Sequence, residues 1–411
     1  MKILVQKFGG TSVSTEDRRE MVVDKVEAAL NNGFFPVVVV SAIGRNGDSY
    51  ATDTLINLAK STGCEINPRE LDLLMSCGEI ISSVVMANTL KKRGHESVAL
   101  TGAQAGIITD NNFGDAEVIK VDSQNILRYI EKNIIPVITG FQGVNENGDI
   151  TTLGRGGSDV SGAIIGEALN ADAIEIYTDV EGVMTADPRI VPDARVMNTI
   201  FYNEIFQMAE YGAKIIHPRA VEIAMRSNTP LIIKNTMTDS PGTLITNCDK
   251  SRKYRLDKKD KIITAVAQIG NRTQVKIFSN RNTNKYESDD FLFNLIAAEN
   301  ISLDMINLYP ESKVFIIDDS QLDRLKRLME SSNLKYEVKR NCSKVTIIGN
   351  KMRGVPGVMA KVVKALSKHD IELLQTSDSH TTISCLIDSK YTNTAVNALH
   401  EEFELGKILD I

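Results

Sequence analysis

Along the first 245 residues, short runs of apolar residues alternate with longer stretches in which apolar positions recur every third or fourth residue. The run PVVVVSA at 36–42 has almost no polar position. A strand of that kind is buried on both faces, as happens in parallel sheets covered by helices. On this pattern strands are expected at Ile3–Phe8, Pro36–Ala42, Ser97–Leu100, Ile134–Thr139, Ala173–Thr178 and Pro230–Lys234. Between them Glu16–Asn31, Pro68–Arg93, Ser123–Lys132 and Ser158–Leu169 carry the helical period. Strand and helix in alternation predict an α/β layer domain over 1–245, a mainly parallel sheet sandwiched by helices.

The texture changes after residue 245. Residues 246–262, including CDKSRKYRLDKKDK, are turn-rich and strongly charged, and are expected to form a linker. Two similar segments follow, QVKIFSN…FII and KVTIIGN…CLI, each in the order strand, loop, helix, strand, loop, strand. NISLDMI and DIELLQT occupy matching places in them. An internal repeat means two copies of one unit, here small α+β modules over 263–340 and 341–411. Units so small have little core of their own and are expected to pack on each other or on a second subunit.

Composition narrows the function. The net charge of −6 argues against nucleic acid or an anionic membrane as a partner. Five scattered cysteines without CxxC or zinc-ligand spacing fit reduced thiols in a cytosolic protein. The N-terminus enters a strand directly and shows no signal-peptide pattern. No uninterrupted apolar run reaches about 18 residues, so no spanning helix is expected. These features predict a soluble, cytoplasmic protein.

The candidate chemistry lies in three clusters and two single charges. Lys7-Phe8-Gly9-Gly10-Thr11-Ser12 closes the first strand. Paired glycines let backbone N–H groups approach a phosphate, and Lys7 adds charge. A bare Gly-Gly is more often an ordinary turn, and this one matches neither the P-loop nor the GxGxxG fingerprint. Thr152-Leu153-Gly154-Arg155-Gly156-Gly157-Ser158-Asp159 offers a helix cap and, between glycines, an arginine suited to gripping a carboxylate. Thr178-Asp179 ends another strand ahead of a loop with Met184, Asp187 and Arg189, whose turn residues need no ligand to explain them. Glu79 opens an apolar helical stretch, where the helix dipole alone would favour it. Lys214 follows Gly212-Ala213, where a solvated surface lysine is equally natural.

These clusters in this order resemble the aspartokinases of the amino acid kinase superfamily. The matching stretches are KFGGTS at 7–12, VVSAIG at 39–44, ATDTL at 51–55, SCGE at 76–79, TLGRGGSD at 152–159, YTDVEGVMTADPR at 177–189, GAKIIHP at 212–218 and NT…SPGTLI at 235–245. The tail is similar to the paired regulatory ACT modules of the same enzymes, which implies that both modules are ferredoxin-like, with Gly354-Val355-Pro356-Gly357-Val358 at the usual turn. TSDSHTTI at 376–383 resembles the short monofunctional aspartokinases of Gram-positive bacteria, so a monofunctional enzyme without a homoserine dehydrogenase extension is expected. Two departures stand out. The first module reads SNRNTNKYESDD in place of a Pro-Gly turn, and Met184 stands where several relatives place an aromatic residue.

The resemblance implies that ATP is held by Lys7, Phe8, Gly9, Gly10, Ser41, Thr178, Asp179, Met184, Arg189 and Lys214. It places aspartate among Thr52, Glu79, Arg155, Gly156, Gly157, Ser158 and Asp159, with Lys7, Asp159 and Lys214 catalytic. Mg²⁺ would come with the nucleotide, with no side chain as its direct ligand. Effector contacts are implied at Asp304, Met305 and Asn307 and at Thr376, Ser377 and Asp378. Lysine or meso-diaminopimelate is the expected effector, in a homodimer or homotetramer. The reaction would be the first step of the lysine, threonine and methionine route, making 4-phospho-L-aspartate. The alternatives are a kinase acting on glutamate or acetylglutamate, and a non-catalytic amino-acid sensor.

Overall fold

Each of the six apolar runs becomes a strand of one sheet. The computed structural model of the 411-residue chain describes residues 1–212, 215–247, 262–278, 285–332, 334–349, 352 and 355–407, with backbone alone at 285–289. They fall into two compact units. The first comprises Met1–Val183, Val196–Ala209 and Lys214–Asp257.

In the first unit the elements run β1 (Lys2–Phe8), α1 (Glu16–Asn31), β2 (Phe34–Val40), α2 (Thr52–Lys60), α3 (Pro68–Lys92) and β3 (Ser97–Leu100). Then come β4 (Ile107–Thr109), β5 (Val118–Val121), α4 (Gln124–Glu131), β6 (Ile135–Thr139), β7 (Gln142–Val144), β8 (Ile150–Thr152) and α5 (Gly157–Ala168). The unit ends with β9 (Ala173–Thr178), β10 (Thr199–Phe201), α6 (Tyr202–Glu210), α7 (Pro218–Arg226), β11 (Leu231–Asn235) and β12 (Thr243–Thr246). The large sheet has the order β10-β12-β11-β9-β1-β2-β6-β3, parallel except where β11 meets β12. In β2 every residue after Phe34 is buried, as its all-apolar sequence requires. β5-β4-β7-β8 form a smaller sheet of three- and four-residue strands that hydrophobic pattern does not reveal.

Helix α3 is the long connection beneath the strand ends. Asn67 caps it by accepting from the Arg69 N–H at 2.9 Å, and Pro68 occupies its first position. Contrary to the expectation from uninterrupted runs, this helix is long and apolar enough to cross a membrane by length and composition. Its burial is that of a core helix, with Met75, Met86 and Leu90 inside.

The second unit comprises Met184–Arg195, Glu210–Ala213 and Lys258–Ile411. Its elements are β13 (Ile263–Phe278), α8 (Lys285–Ala298), β14 (Asp304–Leu308), β15 (Ser312–Asp318), α9 (Leu322–Ser331) and β16 (Tyr336–Gly349). They continue with α10 (Val358–Ser367), β17 (Gln375–Asp378), β18 (Thr382–Asp388) and α11 (Thr392–Glu402), and the sheet order is β14-β15-β13-β16-β18-β17. Strand β13 serves two cores. Ile263 and Val266 lie with Val345, Val362 and Leu366, whereas Val275 and Ile277 lie with Phe315 and Leu325. The register shifts between Ile269 and Arg272, where Asn271 has φ +55°. Across the boundary expected at 340/341 the two segments share one sheet: 263–269 pair with 344–349, and 274–277 with 336–339. A long unbroken β pattern hides that change of side. Of the expected linker 246–262, residues 248–261 lie outside the described residues.

Candidate active site at the strand ends

Strands β1, β2 and β6 end side by side, and the chain leaves each through a tight turn. The Ser41 N–H donates to the Phe8 carbonyl at 3.1 Å, and Gly44 to Gly10 at 3.0 Å. A Cβ on Gly10 would stand 2.4 Å from the Ala42 carbonyl oxygen, so only glycine allows the two turns to come this close. Gly9 donates to the Tyr177 carbonyl at 3.2 Å. The Phe8 ring is fully buried and stacked on Tyr177, with centroids 4.6 Å apart, so Phe8 offers a ligand only its backbone.

A cavity of about 570 Å³ opens over these turns. It gathers Lys7, Gly10, Ser41, Thr52, Glu79, Arg155, Gly156, Gly157, Ser158 and Asp159. Lys7 lies 2.6 Å from Asp159, in the first turn of α5. Gly162 on that helix makes the room: a Cβ there would sit 3.2 Å from that of Lys7. Gly156 enters α5 at φ +72°, with the His217 ring where its side chain would be. Burial lowers the pKa of His217. The helix N-terminus therefore sets the positive end of its dipole at the cavity beside Lys7.

Glu79 approaches from α3. It is 2% exposed, Oε1 accepts from the Ala42 N–H at 3.0 Å, and Oε2 has no protein partner. Burial pushes its pKa up to about 8, against the pull of the Ala42 hydrogen bond and of nearby Lys7. A buried carboxyl with an orphaned oxygen suits a cationic ligand, which would supply both charge and donors. Arg155 is exposed, between glycines at φ +70° and +72°.

Other predicted residues fall outside this lining. Thr178 ends the neighbouring β9, and Asp179 follows it and pairs with Arg45 at 2.5 Å. Met184 and Arg189 belong to the second unit, where Arg189 pairs with Asp187 at 2.7 Å. Lys214 lies outside the described residues. The cavity also includes Phe141, Arg45 and Asn46, which sequence reasoning missed. Phe141 holds φ +71°, its N–H donating to Ser161 Oγ at 2.9 Å. Such a backbone for an aromatic residue has a cost and clusters at functional sites, yet leaves no trace in the sequence. Arg45, a charged residue following the VVSAIG turn, could have been noticed.

In the second unit Gln375, the residue before the second effector set, reaches the first. Gln375 donates to the Met305 carbonyl and, at 2.6 Å, to Asn307 Oδ1, and Gln274 donates to its Oε1 at 3.0 Å. Asp304 pairs with the buried Lys344 at 2.5 Å, and the Lys344 ammonium lies 4.3 Å from the Tyr211 ring centre. Met305 is buried at φ +48°, while Thr376, Ser377 and Asp378 are exposed on β17.

The chain matches the amino acid kinase family over residues 2–235 and the ACT domain over 337–401. It is 43% identical over 407 residues to aspartokinase 1 of Bacillus subtilis, covering 99% of this chain and 100% of that one. To the aspartokinase of Geobacillus stearothermophilus it is 38% identical, covering 99% and 98%. Aspartokinase III of Escherichia coli in complex with aspartate and ADP superposes with a TM-score of 0.79 at 26% identity, over 98% of this chain and 99% of that one. The same enzyme in complex with lysine and aspartate gives a TM-score of 0.74, again at 26% identity and with the same coverage.

Proposed function

Because the chain belongs to the amino acid kinase family, and within it to the aspartokinases, we propose that this cavity is where ATP and aspartate meet. The observation that carries the reading is the convergence of Glu79, Arg155 and the Lys7–Asp159 pair on one cavity. A free amino acid presents an ammonium and an α-carboxylate, and Glu79 and Arg155 complement them. Thr52 and Ser158 supply hydroxyls beside that pair. Lys7, the Gly9–Gly10 backbone, Ser41 and the N-terminus of α5 form the anion-binding side, and Lys214 is assigned there by motif.

The aspartate side chain titrates near 4, so it is a nucleophile at neutral pH without a general base. One of its oxygens attacks the γ-phosphorus in line, the bond to the bridging oxygen breaks, and ADP leaves with that electron pair. The protein aligns the partners and neutralises charge. Mg²⁺ held with the nucleotide would spread the phosphate charge, with no side chain as its direct ligand. No covalent phosphoenzyme is needed. A kinase for glutamate or acetylglutamate and a catalytically silent sensor both fit less well, since the relatives aligned over the whole chain are aspartokinases.

Arg155→Ala tests the pocket. Hydrogen bonds to charged groups contribute roughly 1.5–3 kcal/mol, so the aspartate KM should rise about 10- to 100-fold with the ATP KM little changed. Unchanged aspartate saturation in the folded variant would remove Arg155 from the site.

The second unit is proposed to bind an amino-acid effector where Asp304, Met305 and Asn307 approach Gln375. Lysine is the first choice and meso-diaminopimelate the second. Ile306 and Leu308 are exposed on the edge strand β14, and a second copy of the chain is the proposed cover. Initial rates titrated with each amino acid should show inhibition with couplings of about 1–3 kcal/mol, relieved by Gln375→Ala. Indifference to both at millimolar concentration would end the regulatory reading and leave the kinase assignment intact.

A further inference from the structure

Helix α3 carries a polar stripe. Arg69, Asp72, Ser76 and Glu79 follow one another at three- and four-residue spacing and so share one face of an otherwise apolar helix. Glu79 reaches the cavity, and Asp72, two turns earlier, does not. Asp72 is 1% exposed. Its Oδ2 accepts from the Thr152 N–H at 2.8 Å and the Gly114 N–H at 3.0 Å, and its Oδ1 from the Thr152 hydroxyl at 2.8 Å. The same face holds the β7–β8 hairpin twice more, through Arg69 to Asp149 at 2.7 Å and Gln142 to the Ser76 carbonyl at 3.1 Å.

Thr152 is the last residue of β8, and Arg155 is three residues further on. Between them Leu153 donates to the Phe141 carbonyl at 2.8 Å, and Gly154 turns at φ +70° with Asp115 directly against it. Asp115 follows Gly114, so one buried carboxylate anchors both the strand that leads into the arginine loop and the loop that supports it. Arg155 itself is exposed. Its placement depends on the backbone at 152–154.

We propose that Asp72 is a positioning residue for aspartate recognition, which holds Thr152 and Gly114 together so that the Arg155 loop keeps its place over the cavity. The inference rests on the reading of Arg155 as the partner of the substrate's α-carboxylate. Loss of the anchor loosens the aspartate side, and leaves unchanged the larger part of the nucleotide side, which is built on β1 and the Gly9–Gly10 turn.

The experiment compares Asp72→Ala, Asp72→Asn and Arg155→Ala in the full chain, with aspartate KM, ATP KM, kcat and melting temperature for each. Small displacements of a binding group are costly, so Asp72→Ala should raise the aspartate KM about tenfold with the ATP KM within about twofold. Asp72→Asn should stay within about threefold of the parent, since its amide oxygen can accept both N–H groups and its NH₂ can donate to the Thr152 hydroxyl. An unchanged aspartate KM in folded Asp72→Ala overturns the inference, as does an equal rise in both KM values or an asparagine variant as damaged as the alanine. If Asp72→Ala does not fold, Thr152→Val keeps the backbone bond and loses only the hydroxyl. It should then raise the aspartate KM about threefold, and no change would overturn the inference. An elevated KM in Arg155→Ala with normal Asp72 variants removes this inference alone, whereas a normal KM in Arg155→Ala removes the pocket reading with it.

Discussion

Replacing Lys7 with alanine is expected to lower kcat on the order of a thousandfold, while the aspartate KM moves by less than about threefold. Lys7 is held by Asp159 at 2.6 Å at the end of β1, where Gly10 lines the cavity. A lysine there faces charge that shifts from the γ-phosphate to the departing oxygen. It therefore acts mainly in the transition state, and its loss shows in turnover rather than in binding. Asp159 would be left without its cation close to the incoming phosphates, adding repulsion to the lost attraction. Steady-state kinetics with ATP and aspartate varied separately would decide the matter. Near-normal kcat with only a lower melting temperature would mean that Lys7 and the two glycines form a structural turn and no phosphate cradle.

What the sequence disclosed about this site depended on physical visibility. Lys7, Glu79 and Arg155 are charged residues set among glycines or apolar runs, and a charge in such a setting needs a reason before any coordinates exist. The parallel strands are visible because burial on both faces forces continuous apolar runs, as in β2. By contrast β4, β7 and β8 are three residues long, too short to show a period of two. Asp72 and Phe141 were illegible for another reason. Asp72 matters through backbone N–H groups at 114 and 152, and Phe141 through a left-handed backbone angle, and neither is encoded in residue type. The pairing between the two small modules was hidden because the sequence repeat exposes only QVKIF of β13 and KVTIIG of β16. Each turns at an asparagine with positive φ, Asn271 and Asn341.

Glu79 gives the second large effect, and it depends on pH. In the unliganded protein burial holds this carboxyl at about 8, whereas in the unfolded chain it titrates near 4.5. Below pH 4.5 both states carry the proton and the residue adds no pH-dependent penalty. As pH rises through the interval from 4.5 to 8, the unfolded chain ionises first, so the free protein loses stability, at most about 1.4 kcal/mol per pH unit. Above 8 both states are ionised and the loss stops growing. An ammonium at the orphaned Oε2 reverses the preference, because the bound cation favours the carboxylate. Aspartate binding below pH 8 then releases a proton. The aspartate KM, measured at saturating ATP, should fall by as much as tenfold per unit as pH is raised from 6 towards 8, and level off above. Glu79→Gln keeps the size and the bond from Ala42 but cannot ionise. Removing one member of a desolvated charge pair costs about 2–5 kcal/mol, so its aspartate KM should be about a hundredfold higher or more at pH 8, with the pH slope gone. Its melting temperature should rise relative to the parent between pH 5 and 8, since the penalty for an ionisable buried acid is absent. A parent enzyme whose aspartate KM is flat over that range, or a glutamine variant that saturates normally, would place the substrate's ammonium elsewhere.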